Sequence, residues 1–108
     1  MRIKEGVTVN GVQPECIMGL LIAETVFQNM GYSFTVTSLT DGASWRKPGS
    51  LHLAGLAFDI RTWDIPESQI ELVCDNLRKR LGPEFDVVLE PDHIHVELDV
   101  RDRTQARA

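Results

Sequence analysis

The spacing of apolar residues changes from segment to segment along this chain, and each spacing predicts an element. From Cys16 to Met30 apolar residues fall at 16, 20, 23, 27 and 30, the rhythm of one helix face. Pro14 suits the first turn, where its missing N–H costs nothing, and Gly31 is placed to cap the far end. A second stripe, Ile70, Val73, Cys74, Leu77 and Leu81, predicts another helix. It opens near Asp64, which can cap it with Glu67 three residues on, and Gly82-Pro83 closes it. Between the helices the period drops to two. Ser33 to Ser38 alternates and is rich in β-branched residues, so it reads as a strand. Gly55 to Arg61 reads as another, with Ala57 and Asp59 on one face and Phe58 and Ile60 on the other. Phe85 to Leu89 and His93 to Val100 read as two antiparallel strands joined by the tight turn Glu90-Pro91-Asp92. In the last strand Ile94, Val96 and Leu98 face the core, opposite His93, His95, Glu97 and Asp99. Residues 1 to 12 read as a short strand or hairpin arm with Asn10-Gly11 as a turn signal. Leu39 to Gly49, with Asp41-Gly42 and Pro48-Gly49, reads as a loop, and Arg101 to Ala108 as a frayed polar tail. The fold class this predicts is α+β: a small antiparallel sheet with two helices packed on one face.

Composition narrows the function classes. At 108 residues, 43% hydrophobic and 25% charged, the chain is expected to form one domain spanning 1–108 with a modest core. Eleven Lys and Arg against sixteen Asp and Glu leave a net charge of −5, and no basic face is visible, so no nucleic-acid partner is expected. The one cationic run, Arg78-Lys79-Arg80, falls where it complements the negative end of the second helix. Cys16 and Cys74 both fall on apolar helix faces and are expected to be buried free thiols. The apolar run from Ile17 to Ala23 is too short to span a bilayer and contains Gly19, so no membrane insertion is expected. The start, Met1-Arg2-Ile3-Lys4-Glu5-Gly6, does not lead into a signal-peptide core. Synthesis in the cytoplasm without a signal peptide is the expectation, so a target outside the membrane needs another carrier. A monomer is the expected state.

All three histidines of the chain lie in two polar clusters, Ser50 to Asp59 and Glu90 to Glu97. A catalytic zinc takes three protein ligands from His, Asp or Glu and keeps a fourth position for water. His52, Asp59 and His95 meet that count, and Gly55 and Ala57 let the backbone bend while keeping side chains clear of an ion. The expected cofactor is therefore Zn2+.

The string Ser50-x-His52-x-x-Gly55-x-Ala57-x-Asp59, followed by Asp92-x-x-His95, resembles the zinc peptidases that cleave peptidoglycan peptides. These are the D-alanyl-D-alanine carboxypeptidases and L-alanyl-D-glutamate endopeptidases, which share the hedgehog-like metal fold. The resemblance runs from about Phe34 to Leu98, and its length is similar to that of the short single-domain members found in phages. It implies a peptidoglycan hydrolase with His52, Asp59 and His95 as zinc ligands and a stem or cross-link peptide as substrate. Asp92 matches the acidic residue that acts as general base; Glu90, with the same spacing to His93, is its rival. His93 reads as a donor to the developing oxyanion, an alternative ligand, or a histidine supporting the site from outside. Arg46 is a candidate for the family's upstream arginine, which meets a substrate carboxylate or the oxyanion, with Trp45 as a cleft wall. Ser50 reads either as a contact to His52 or substrate, or as the cap of the following turn. Glu97 and Asp99 read as partners that hold an imidazole tautomer or as solvated strand carboxylates. Trp63 reads as a core or rim aromatic. Action in phage lysis or wall penetration is implied, after release or from a virion. The rival class is a zinc-containing structural or binding module, for instance a virion component, without catalysis; a third reading is a metal-free domain.

Overall fold

The computed structural model describes residues 1–99. Along the chain lie β1 (Arg2–Ile3), α1 (Pro14–Met30), β2 (Thr35–Ser38), β3 (Ala57–Arg61), a single 3-10 turn (Glu67–Gln69), α2 (Ile70–Leu81), β4 (Phe85–Leu89) and β5 (His93–Leu98). The sheet has the order β1-β2-β3-β5-β4, antiparallel throughout except that β1 runs parallel to β2. The fold is α+β, as the apolar periods predict. The expected tail at 101–108 and the expected last strand residue, Val100, lie outside the described residues.

Register separates the sheet into an apolar and a chemical face. Phe58 stands opposite Val96 and Ile60 opposite Ile94, while β4 places Val87 against Val96. These side chains are buried. They share one core with Cys16, Leu20, Ala23 and Phe27 of α1 and Val73, Cys74 and Leu77 of α2. Each large side chain sealed in this way contributes about 1.5–3 kcal/mol. The alternate positions carry the polar row: Asp59 faces His95 across the ladder, Arg61 faces His93, and Ala57 faces Glu97. On the other side of β3 the pairing slips by one residue, so that Ser38 rather than Thr37 stands opposite Asp59.

Several expectations change. Residues 1–12 form no hairpin; β1 is two residues long and pairs parallel with β2, and the chain then crosses toward the 50–56 turn. Thr40 N–H donates to the Thr8 carbonyl and Gln13 N–H to that of Gly55. Asp64 caps nothing. α2 starts at Ile70 with Gln69 before it and no side-chain cap, because Pro66 drives Ile65 out of helical geometry and Ile65 is spent in the core. α1 ends as expected on Gly31, whose φ of +83° frees its N–H for the Gln28 and Phe27 carbonyls. Both cysteines are buried free thiols, and burial pushes the Cys16 thiol up to about 11. No helix among the described residues is long and apolar enough to cross a membrane.

Gly55 fixes the turn before β3. Its φ is +77°, and a Cβ there would lie 2.0 Å from the Gly11 carbonyl oxygen, so neither backbone nor space admits a side chain. Gly55→Ala should therefore cost on the order of 3 kcal/mol or more, or prevent folding, when measured by urea denaturation. A loss below about 1 kcal/mol would mean that the Gly11 approach is soft.

Candidate metal centre

A turn, the middle strand and its neighbour bring three side chains to one point on the chemical face. His52 comes from the turn at 51–55, Asp59 from the centre of β3, and His95 from the facing position of β5. One donor atom from each lies within 4.8 Å of the others, a spacing that can hold a metal ion. Asp59 Oδ1 sits 3.2 Å from His52 Nε2 and 2.9 Å from His95 Nδ1. His52 and Asp59 are buried, at 4% and 8% exposure, so the point of convergence is shielded from bulk water.

The outer nitrogens of the two imidazoles decide what the inner ones can do. His52 Nδ1 lies 2.8 Å from the Leu39 carbonyl, which can only accept, so the N–H belongs on Nδ1. His95 has a carboxylate oxygen at each ring nitrogen, Glu97 Oε1 2.8 Å from Nε2 and Asp59 Oδ1 2.9 Å from Nδ1, so with an ion beside Nδ1 the N–H would belong on Nε2, toward Glu97. In each neutral ring the other nitrogen then turns a lone pair toward Asp59. Two lone pairs and a carboxylate oxygen within hydrogen-bond distance repel unless a cation or extra protons lie between them. The donor set of two imidazoles and a carboxylate fits a divalent metal. The carbonyl and carboxylate behind the rings are the outer partners that orient metal-bound histidines.

In the metal-free protein, protons do that work. Burial pushes the Asp59 carboxyl up, but hydrogen bonds from His52 and His95 and the charges of His52 and His93 outweigh it, holding the group well below the carboxylate range. The Asp59 hydrogen bond lifts His95 above its ordinary value, against burial and with help from Glu97. Glu97, which the sequence left between two readings, is the carboxylate behind His95, 2.8 Å from its Nε2. Asp99 instead ends the strand, its N–H donating to the Glu84 carbonyl.

A cavity of about 340 Å³ opens beside the centre, lined among others by Asp59, Asp92, His93, Arg46, Trp45 and Arg61. Asp92 stands on its exposed lip, its carboxylate 2.6 Å from His93 Nδ1, and that hydrogen bond keeps it ionised, its value lowered. His93 Nε2 points back toward Asp59 Oδ2 at 3.6 Å. Glu90 lines a different hollow with Pro91, Ile70 and Glu71. Arg46 lies in the cavity wall, with Nε donating to the Asp41 carbonyl at 2.9 Å and an NH2 group donating to Ser38 Oγ at 2.7 Å. Its guanidinium also covers the Trp45 ring at 4.3 Å. Ser50 does not line the cavity; its carbonyl accepts from Ala54 N–H in the turn that carries His52. Trp63 is an exposed rim residue. Sequence reasoning passed over Lys4, Ser38, Asp41 and Arg61, all of which line the cavity. Arg61 was within reach, since two residues beyond Asp59 on a strand means the same face.

No protein-family model, curated protein or solved structure matches the chain.

The raised His95 value gives a signed expectation. In the metal-free protein its contribution to stability is complete below 6.5, the ordinary histidine value, and is lost as pH rises through the higher folded value. An ion needs the deprotonated nitrogen, so its stabilisation grows in the opposite direction. Added Zn2+ should raise Tm little in acid and increasingly as pH climbs past 6.5, the ordinary value; a pH-independent Tm increment would refute this assignment of donors. Glu97→Gln should weaken Zn2+ binding about 10- to 100-fold in calorimetric titration.

Proposed function

We propose that the chain is a zinc-dependent peptidase that hydrolyses a peptide bond in the stem or cross-link of bacterial peptidoglycan. The reading places it with the D-alanyl-D-alanine carboxypeptidases or L-alanyl-D-glutamate endopeptidases of hedgehog-like fold, acting in phage lysis or wall penetration. The observation that carries it is the convergence of His52, Asp59 and His95, with an acceptor, Leu39 or Glu97, behind each imidazole. The sequence string around those three residues is the second support, and it is independent of the ring orientations.

Zinc, when bound, supplies a Lewis acid for the scissile carbonyl and a water of lowered pKa. His52, Asp59 and His95 would hold the ion. Asp92 is ionised and at the mouth of the same cavity, so it is in the form that accepts a proton. It takes one proton from the attacking water and returns it to the leaving amine as the C–N bond breaks. His93 holds Asp92 in place through the 2.6 Å contact and presents its second nitrogen to the reaction space. Arg46, already bound to Ser38 and Asp41, stiffens the opposite wall.

Asp92→Asn separates chemistry from metal retention. The variant should keep stoichiometric zinc by elemental analysis and lose about 10²- to 10⁴-fold in hydrolysis of purified peptidoglycan, followed by mass spectrometry of the muropeptides. Full activity in Asp92→Asn would remove Asp92 as the base. Unaltered muropeptides from several wall types, with zinc bound by the wild type, would favour a non-catalytic zinc module.

A further inference from the structure

The charges around the cavity do not all find partners. Its walls carry Lys4, Arg46 and Arg61 against Asp41, Asp59 and Asp92. The Asp41 carboxylate accepts from Ser38 Oγ and the Leu39 N–H. Asp92 is bonded to His93, and Asp59 belongs to the metal centre. Arg46 is held through two nitrogens and an aromatic face. Lys4 and Arg61 remain, and neither forms an ion pair among the described residues. Arg61 is the sharper case. Its Nε is shut off from solvent with no hydrogen-bond partner among the described residues, and its guanidinium lies 4.0 Å over the Trp63 ring. No hydrogen bond among the described residues engages its guanidinium, so its outer donors are available to an incoming acceptor. The stacking on Trp63 orients the planar fork before any ligand arrives.

We propose that Arg61, assisted by Lys4, determines specificity by binding a carboxylate on the substrate residue that carries the leaving amine. The proposal rests on the peptidase reading above. Arg61 lies two residues beyond Asp59 on the same face of β3, about 7 Å along the strand, and faces His93 as Asp59 faces His95. An extended peptide advances about 3.5 Å per residue. A carboxylate one residue from a carbonyl seated at the metal centre is therefore within reach of an arginine fork rooted two positions on. Both candidate bonds present that group. In a D-alanyl-D-alanine terminus it is the terminal carboxylate of the released D-alanine. In an L-alanyl-D-glutamate bond it is the α-carboxylate of the D-glutamate, which stays free because the stem continues through the γ-carboxyl. A charged, bidentate contact to that group suits arginine better than lysine.

The zinc-loaded full chain, Arg61→Gln and Arg61→Lys should be assayed on two substrate pairs. One pair is an acetylated L-lysyl-D-alanyl-D-alanine peptide and its C-terminal amide. The other is an L-alanyl-γ-D-glutamyl peptide and its α-amidated isoglutamine counterpart. Binding of the same peptides to the zinc-loaded Asp92→Asn chain, read from the Trp63 indole resonance, supplies a measure free of turnover. The wild type should prefer one carboxylate member over its amide by about a hundredfold or more, and the pair that shows the preference names the source. Arg61→Gln should lose most of that preference through KM, and Arg61→Lys should recover part of it, with both melting cooperatively. Amides handled as well as carboxylates by the wild type would overturn the proposal even if neither variant folded. Equal losses on both members of a pair in Arg61→Gln would also overturn it, by making Arg61 structural. Failure of the wild type to cleave any of the four peptides would count against the peptidase reading, and the binding arm would still decide Arg61.

Discussion

One buried carboxylate sets the terms for the rest of this molecule. Asp59 occupies the middle of the central strand, with Phe58 and Ile60 on either side sealed into the apolar core. A carboxylate in that position is costly unless hydrogen-bonding partners converge on it. They come from two directions, His95 across the ladder and His52 from the preceding turn, while His93 stands one rung away. The sheet thus positions the site in the same stroke that builds the core. Alternate residues of β3 and β5 go to hydrocarbon and to chemistry, and a one-residue slip between these strands would exchange the two sets. The core and two of the three candidate donors, Asp59 and His95, thus share one register.

The strands and helices long enough to show a period were legible in the sequence, because burial of one face imposes the period. β1 was legible only as one of two readings of residues 1 to 12, since its pairing with Thr35 and Val36 is a tertiary event that two residues cannot signal. The start of α2 was misplaced because the capping pattern at Asp64 and Glu67 is local, whereas the burial of Ile65 beside Pro66 is not. The three residues that could hold a metal ion could be named from the sequence, as the histidines cluster around them. What the sequence could not carry was the ring orientation, which depends on a backbone carbonyl at Leu39 and thus on the path of the loop. The ties of Arg46 to Ser38 and Asp41 are made by the folded loop and leave no signature in its sequence. Ser50 belongs to the turn geometry of its own stretch.

Two arginine–tryptophan stacks flank the cavity, Arg46 on Trp45 and Arg61 on Trp63. Both indoles are largely exposed, so neither is there to fill the core. The two stacks have different surroundings. Arg46 has its donors committed to the loop, and it gives an otherwise irregular segment a fixed wall. Arg61 keeps a donor unspent. Similar side-chain pairs thus differ in whether the guanidinium is already engaged by the protein.

The close approach of Gly11 to Gly55 has a thermodynamic consequence. The turn that carries His52 is clamped from outside by the crossing segment of the first dozen residues, through the Gln13 N–H and the Gly11 carbonyl. Coupling of this kind is reciprocal. An ion that tightens the His52 turn must also protect the crossing segment from opening, and whatever pulls that segment away must loosen the ion by the same factor. Amide exchange between residues 8 and 13, remote from every ligand in sequence, would thus report metal occupancy as directly as a signal from the histidines themselves.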